Sequence, residues 1–194
     1  MFEGVGANGK RVQYESATAK EVLAQLGLLE GAVAAKVNGK NVDLGAVLSE
    51  GGTVEPILAS SEEGLDILRH SAAHLMAQAV SSLYPGTRYG VGPSIKDGFY
   101  YDMEIPGTIT EADLPAIERE MRRLAKRATP VLRKEMSKEE ALAYFKEKDD
   151  PYKQEIISDL EEPVVTLYSQ GDYADLCRGP HVPDTSYIRH FKLL

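Results

Sequence analysis

Two short spacings constrain this chain more than any other feature. His70 and His74 lie four residues apart in one segment, and Cys177 and His181 lie four apart far downstream. These pairs use the only cysteine and three of the four histidines. They form one site only if the fold brings two distant segments together. On a helix, residues four apart share a face, so His70 and His74 can converge on one ligand or metal. Arg178-Gly179-Pro180 lies between the second pair and argues against a continuous helix, which puts Cys177 and His181 on a turn or loop.

The chain around these pairs reads as two small domains. Val5 and Val12 flank the turn-rich Gly6-Ala7-Asn8-Gly9, which predicts a hairpin. Thr18-x-x-Glu21 is a capping box for a helix through Leu26, with Gly27 placed to end it. Asn38-Gly39 supplies the positive φ angles of a tight hairpin turn between Ala35–Val37 and Asn41–Asp43. Thr53–Leu58 is the next strand. Hairpin, helix, hairpin, strand is the order of a ubiquitin-like β-grasp, expected over residues 1–60.

Ser60-Ser61-Glu62-Glu63-Gly64 reads as the boundary, and Ser60-x-x-Glu63 as the start of a helix reaching about Leu83. Leu65, Leu68, Ala72, Leu75, Met76, Ala79 and Leu83 form one predicted core stripe. His70 and His74 lie opposite it beside Ala77 and Ser81, as an uncrowded face suited to a cleft wall. Gly92-Pro93 and Gly98–Asp102 suggest turns and a strand. A second helix is expected from Thr110 to before Pro130. Its stripe is Leu114, Ile117, Met121, Leu124 and Ala128, with Arg119, Arg122, Arg123, Lys126 and Arg127 on the other side. Ser137-x-x-Glu140 caps a third helix, and Val164–Tyr168 is a strand after Pro163. Helices and strands mixed without regular βαβ repetition predict an α+β fold for residues 61–194.

Composition narrows the function. A single cysteine excludes an internal disulfide framework and fits a reducing cytoplasm. The formal charge is −8, so any nucleic-acid contact must come from a local basic patch such as the Arg119–Arg127 face. The commonest use of such a face is solvation alone. The His/His/Cys/His set matches the donor types of a zinc site. Histidines on a helix face and a lone buried cysteine are also ordinary packing residues, and spacing leaves these readings open.

Taken together, His70-Ser-Ala-Ala-His74-Leu, Gly92-Pro93 with Gly98-Phe-Tyr-Tyr-Asp102, Pro151-Tyr-Lys153 and Asp175-Leu-Cys177-Arg-Gly-Pro-His181-Val resemble the N-terminal part of bacterial-type threonyl-tRNA synthetases. The resemblance implies a TGS domain over residues 1–60 and an editing domain over residues 61–194 that hydrolyses mischarged seryl-tRNA(Thr). It also implies that the class II catalytic and anticodon-binding domains of that family lie beyond Leu194, so that ATP-dependent activation is not expected of this chain.

Chemistry and resemblance jointly suggest roles. His70 orients water or acts as base. Lys153 orients a second water, or supplies positive charge and a proton to the leaving group. Asp175 holds the substrate ammonium, while His74, Tyr101, Cys177 and His181 shape the pocket. The five basic residues face the tRNA acceptor end. The resemblance favours ordered waters and no required cofactor, with zinc at His70, His74, Cys177 and His181 as the other reading. A non-catalytic tRNA-binding or zinc-binding module is the competing class.

Overall fold

A computed structural model describes residues 1–194. The chain divides into two compact units, Met1–Leu68 with Gly179–Pro183, and Arg69–Arg178 with Asp184–Leu194.

The first unit is built on a five-stranded sheet with the order β2-β1-β7-β4-β5. Its strands are β1 (Phe2–Gly6), β2 (Arg11–Tyr14), β4 (Ala32–Val37), β5 (Lys40–Val42) and β7 (Gly52–Leu58). β3 (Ala17–Thr18) and β6 (Val47–Leu48) form a separate two-stranded ladder. β1 and β7 are parallel neighbours, and the remaining pairings of the larger sheet are antiparallel. Helix α1 (Ala19–Leu26) starts at the expected Thr18/Glu21 capping box and ends at Gly27, whose φ of 74° is left-handed. Asn38 and Gly39, with φ of 49° and 80°, make the β4–β5 turn. Val22, Leu23 and Leu26 of α1 pack with Ala35 and Val54 of the sheet to form the core.

Helix α2 (Glu62–Leu83) crosses the unit boundary. Ser61 caps it, its Oγ accepting from the Gly64 N–H at 3.0 Å, in place of the expected Ser60. The expected split into a core stripe and an open histidine face does not hold. Ser71 to Leu75 and Ala77 to Val80 are all buried, whereas the stripe residues Leu65 and Leu83 are each 40% exposed. A central helix packed on several sides loses the one-sided pattern, because its polar residues find partners inside. Gln78, for example, donates to the Gln170 carbonyl at 2.9 Å and accepts from the Gln170 amide at 2.9 Å.

The second unit contains the short pairs β8 (Arg88–Tyr89) with β11 (Met103–Glu104) and β9 (Ser94–Ile95) with β10 (Gly98–Phe99). A three-stranded antiparallel sheet has the order β12-β13-β14, with β12 at Leu132–Ser137, β13 at Val164–Gln170 and β14 at Tyr173–Leu176. Helix α4 (Lys138–Glu147) carries the expected Ser137/Glu140 capping box. Helix α5 (Pro151–Asp159) begins with Asp150 as cap and Pro151 in its first turn. Ala141, Phe145 and Ile157 of α4 and α5 pack on Val165 and Leu167 of the sheet.

Helix α3 (Leu114–Lys126) follows a 3-10 turn at Glu111–Asp113, and so starts later than Thr110. Ala128 is not part of its stripe: it lies beyond the helix, exposed and with φ of 49°, and Ala125 is buried instead. The end of α3 is held by the buried Thr185, whose hydroxyl donates to the Leu124 carbonyl at 3.0 Å and accepts from the Thr129 N–H at 3.0 Å.

Candidate functional site

Strand periodicity and helix periodicity meet in the second unit. Along β14, Tyr173, Asp175 and the following Cys177 share one face, because strand side chains alternate. Leu176, on the other face, packs against the α4–α5 cluster. The Cys177 N–H donates to the Thr166 carbonyl at 3.0 Å, which continues the β13–β14 ladder past its last residue.

His70 Nδ1 lies 3.2 Å from the Gly92 carbonyl, and Nε2 lies 2.9 Å from Cys177 Sγ. A carbonyl only accepts, so Nδ1 carries the proton of neutral His70. Nε2 is then the acceptor for the Cys177 thiol. Gly92 suits this role because it has no side chain: a Cβ there would meet the Tyr101 ring at 2.3 Å.

Next to this pair lies a buried charged centre. Lys153 Nζ stands 2.5 Å from Asp175 Oδ1. Tyr101 donates through a very short hydrogen bond to Asp175 Oδ2 and accepts from Lys153 Nζ at 3.1 Å. The Tyr173 hydroxyl donates to the same Oδ2 at 3.2 Å. Oδ1 receives no aligned hydrogen bond, despite the close ammonium. Burial, followed by the Asp175 charge, pushes the Tyr101 and Tyr173 phenols up, so both remain donors.

His74 connects the two centres. Its ring lies 4.9 Å from that of His70, and its Nε2 lies 3.6 Å from Asp175 Oδ2. Burial, then the charges of His70 and Lys153, holds His74 well below the usual imidazole range. It is therefore neutral at pH 7, and its approach to Asp175 is not an ion pair there.

The structure thus brings His70, His74, Tyr101, Lys153, Asp175 and Cys177 together in the second unit. His181 lies in Gly179–Pro183, which groups with the first unit; it is buried there, and its N–H donates to Asp43 at 2.9 Å. Arg119, Arg122, Arg123 and Lys126 form an exposed face on α3, continued by Arg127 at its C-cap, away from this cluster in the sequence. Arg122 and Arg123 are paired with Glu118 and Glu120 of the same helix. Glu118 also holds the Leu193 N–H and Lys192, and these contacts pull its carboxyl down to about 2. Arg119, Lys126 and Arg127 make no ion pair.

Donor atoms of His70, His74 and Cys177 lie within 4.8 Å of one another and can hold a metal. The 2.9 Å separation of His70 Nε2 and Cys177 Sγ is a hydrogen-bond distance. Two such ligands around tetrahedral zinc stand about 3.5 Å apart, so zinc requires this pair to open.

Three residues escaped the sequence reading: Tyr173, Tyr89 and Asp150. The rings of Tyr89 and Tyr101 meet edge-on at 5.7 Å, and those of Tyr89 and Tyr173 at 5.8 Å. The Asp150-Pro151 pair carries the cap-plus-proline signature of a helix start and could have revealed α5. Beside Cys177, a groove of about 330 Å³ runs between Ile156 of α5, Leu160 at its C-cap, and Val164 and Thr166 of β13.

Comparison with known proteins places the sequence among tRNA-synthetase relatives. Residues 165–194 match the family described as "Threonyl and Alanyl tRNA synthetase second additional domain". The last stretch of the second unit is thus of the class of this tRNA-synthetase domain. The "Threonine--tRNA ligase" of Rubrobacter xylanophilus is 51% identical over 166 residues, covering 86% of this chain and 26% of that protein. "Threonine--tRNA ligase 1" of Bacillus subtilis is 48% identical over 180 residues, 91% of this chain and 28% of the relative. For the Staphylococcus saprophyticus "Threonine--tRNA ligase" the values are 46% over 191 residues, 96% and 29%. Over the stretch it represents, the chain belongs to the bacterial threonine–tRNA ligase family. It spans about a quarter of the length of these relatives.

Proposed function

We propose that the second unit hydrolyses the ester of mischarged seryl-tRNA(Thr), and that residues 1–60 and 61–194 are a TGS-type β-grasp domain and an editing domain. The sheet order of the first unit supports the β-grasp reading. The observation that carries the hydrolytic reading is the adjacency of the His70–His74 imidazole pair to the buried Lys153–Asp175 pair.

The need for such a site follows from size. Serine lacks one methyl of threonine, and one such group gives a binding pocket only about 1–3 kcal/mol of discrimination. A second pocket too tight for that methyl rejects the correct product by steric exclusion.

In the reaction, the oxygen of a water adds to the ester carbonyl. The tetrahedral centre then collapses, and the ribose oxygen leaves with the proton taken from that water, returned by His70 directly or through Lys153. His70 Nε2 is the acceptor for the water proton once it is released from the Cys177 thiol. Lys153 places positive charge where the oxyanion and leaving oxygen develop. Asp175 Oδ1, close to a cation but without an aligned hydrogen bond, offers a lone pair to the substrate ammonium. His74, Tyr101 and Cys177 shape the pocket, and the family resemblance adds His181 to them. A covalent Cys177 intermediate is unnecessary for direct hydrolysis.

The exposed face of α3 is the proposed contact for the tRNA acceptor end. Catalytic and anticodon-binding domains belong to the whole ligase in this reading. Zinc held by the histidines and Cys177 is the second reading, favoured by the donor set.

The test is deacylation of seryl-tRNA(Thr) beside threonyl-tRNA(Thr) with metal-stripped protein, then with zinc restored. Serine-selective hydrolysis without metal supports the water mechanism. Dependence on zinc turns the same side chains into ligands, and hydrolysis of neither substrate overturns the enzymatic reading.

A further inference from the structure

We infer that Asp150 is a positioning residue for the proposed hydrolysis, setting Lys153 and the tyrosine cage in register; the role in catalysis rests on the editing reading above. Asp150 is 5% exposed. Its Oδ1 accepts the Lys153 N–H at 3.2 Å and its Oδ2 accepts the Tyr89 N–H at 3.2 Å. No cation pairs with it: the neighbouring Arg88 bonds Asp149 instead, at 2.9 Å. A buried carboxylate satisfied by two backbone donors from separate elements is costly unless both bonds are needed. Capping α5 needs only one oxygen, which serine also provides.

The second oxygen determines where α5 stands against β8. From β8, Tyr89 meets both Tyr101 and Tyr173 edge-on, and their hydroxyls hold Asp175 Oδ2. One carboxylate therefore grips the backbone of Lys153 and the wall of the cage that holds its partner. A small slip of the first turn of α5 along β8 would move the ammonium off Asp175. A misplacement of about 1 Å in an active site can cost on the order of 10²-fold in rate.

Asp150→Ser keeps the helix cap and removes the grip on Tyr89. It is compared with wild type, Lys153→Met and the double variant, all in the full chain. The readouts are thermal midpoint, the solvent-protected Lys153 ammonium resonance by NMR without substrate, and kcat and KM for seryl-tRNA(Thr) deacylation. Asp150→Ser is expected to fold, with a midpoint lowered no further than that of Lys153→Met, while losing the protected ammonium signal. Its kcat should fall about 10–100-fold, with little change in KM. Adding it to Lys153→Met should cost nothing more, because both act through one group.

An unchanged ammonium signal in Asp150→Ser overturns the inference, as does additivity in the double variant. A wild type without deacylase activity overturns the editing reading. The NMR comparison then still decides whether Asp150 positions Lys153.

Discussion

Lys153 and Asp175 face each other at 2.5 Å with side chains only 4% and 3% exposed, so two opposite charges are buried as a unit. Each is tolerable because the other is present, and the Tyr101 and Tyr173 hydroxyls complete the shell of Asp175.

Removing one member leaves an uncompensated charge. Lys153→Met or Asp175→Leu alone should destabilise the second unit by about 3–5 kcal/mol. The double substitution should cost less than the sum of the singles. Urea unfolding of the four proteins measures this coupling, and simple additivity would show that the pair does not act as a unit.

His74 makes stability depend on pH. Its folded-state pKa lies below the unfolded value, so the unfolded chain binds the additional proton. The contribution is complete above about pH 6.5 and is lost as pH falls below it toward the folded value. Thermal midpoints between pH 5 and 7.5 should drop less steeply for His74→Gln than for wild type. Parallel curves would assign the acid sensitivity elsewhere.

Gly92→Ala should damage the site with no change to its chemical groups. The added Cβ would stand 2.3 Å from the Tyr101 ring, forcing Gly92 or Tyr101 to move. The Gly92 carbonyl then loses His70 Nδ1, or Tyr101 loses Asp175. Deacylation should fall by about 10²-fold. Wild-type activity in this variant would show that the close packing is dispensable.

On α3, the unpaired cations should matter most for RNA. Reversing Arg119, Lys126 and Arg127 should weaken tRNA binding and reduce the salt slope by about one for each lost phosphate contact. Neutralising Arg122 and Arg123 should do less, because Glu118 and Glu120 already balance them. An unchanged salt slope after the triple reversal would rule the face out as an RNA contact.

Local signals carried a large part of the fold. The Thr18/Glu21 and Ser137/Glu140 capping boxes, the Gly27 helix stop and the Asn38-Gly39 turn all appear at the expected residues, because each depends on side chains within a few positions. The four-residue spacing of His70 and His74 likewise determined that their rings lie on one side of α2. The motifs further identified the family, which the relatives support.

Other features depended on contacts between distant segments. The burial of α2 around Ser71–Val80 comes from partners such as Tyr89 and Gln170, which no helical period reveals. The pairing of Lys153 with Asp175 depends on α5 and β14 meeting; burial of Tyr101 and Tyr173, then the Asp175 charge, raises their phenols, and burial of His74, then the nearby charges, holds it neutral. Residue types and short spacings fix which groups are available and which way a turn bends. Distance and solvent exclusion set the strength of each charge and the ownership of each proton, and only tertiary structure supplies them.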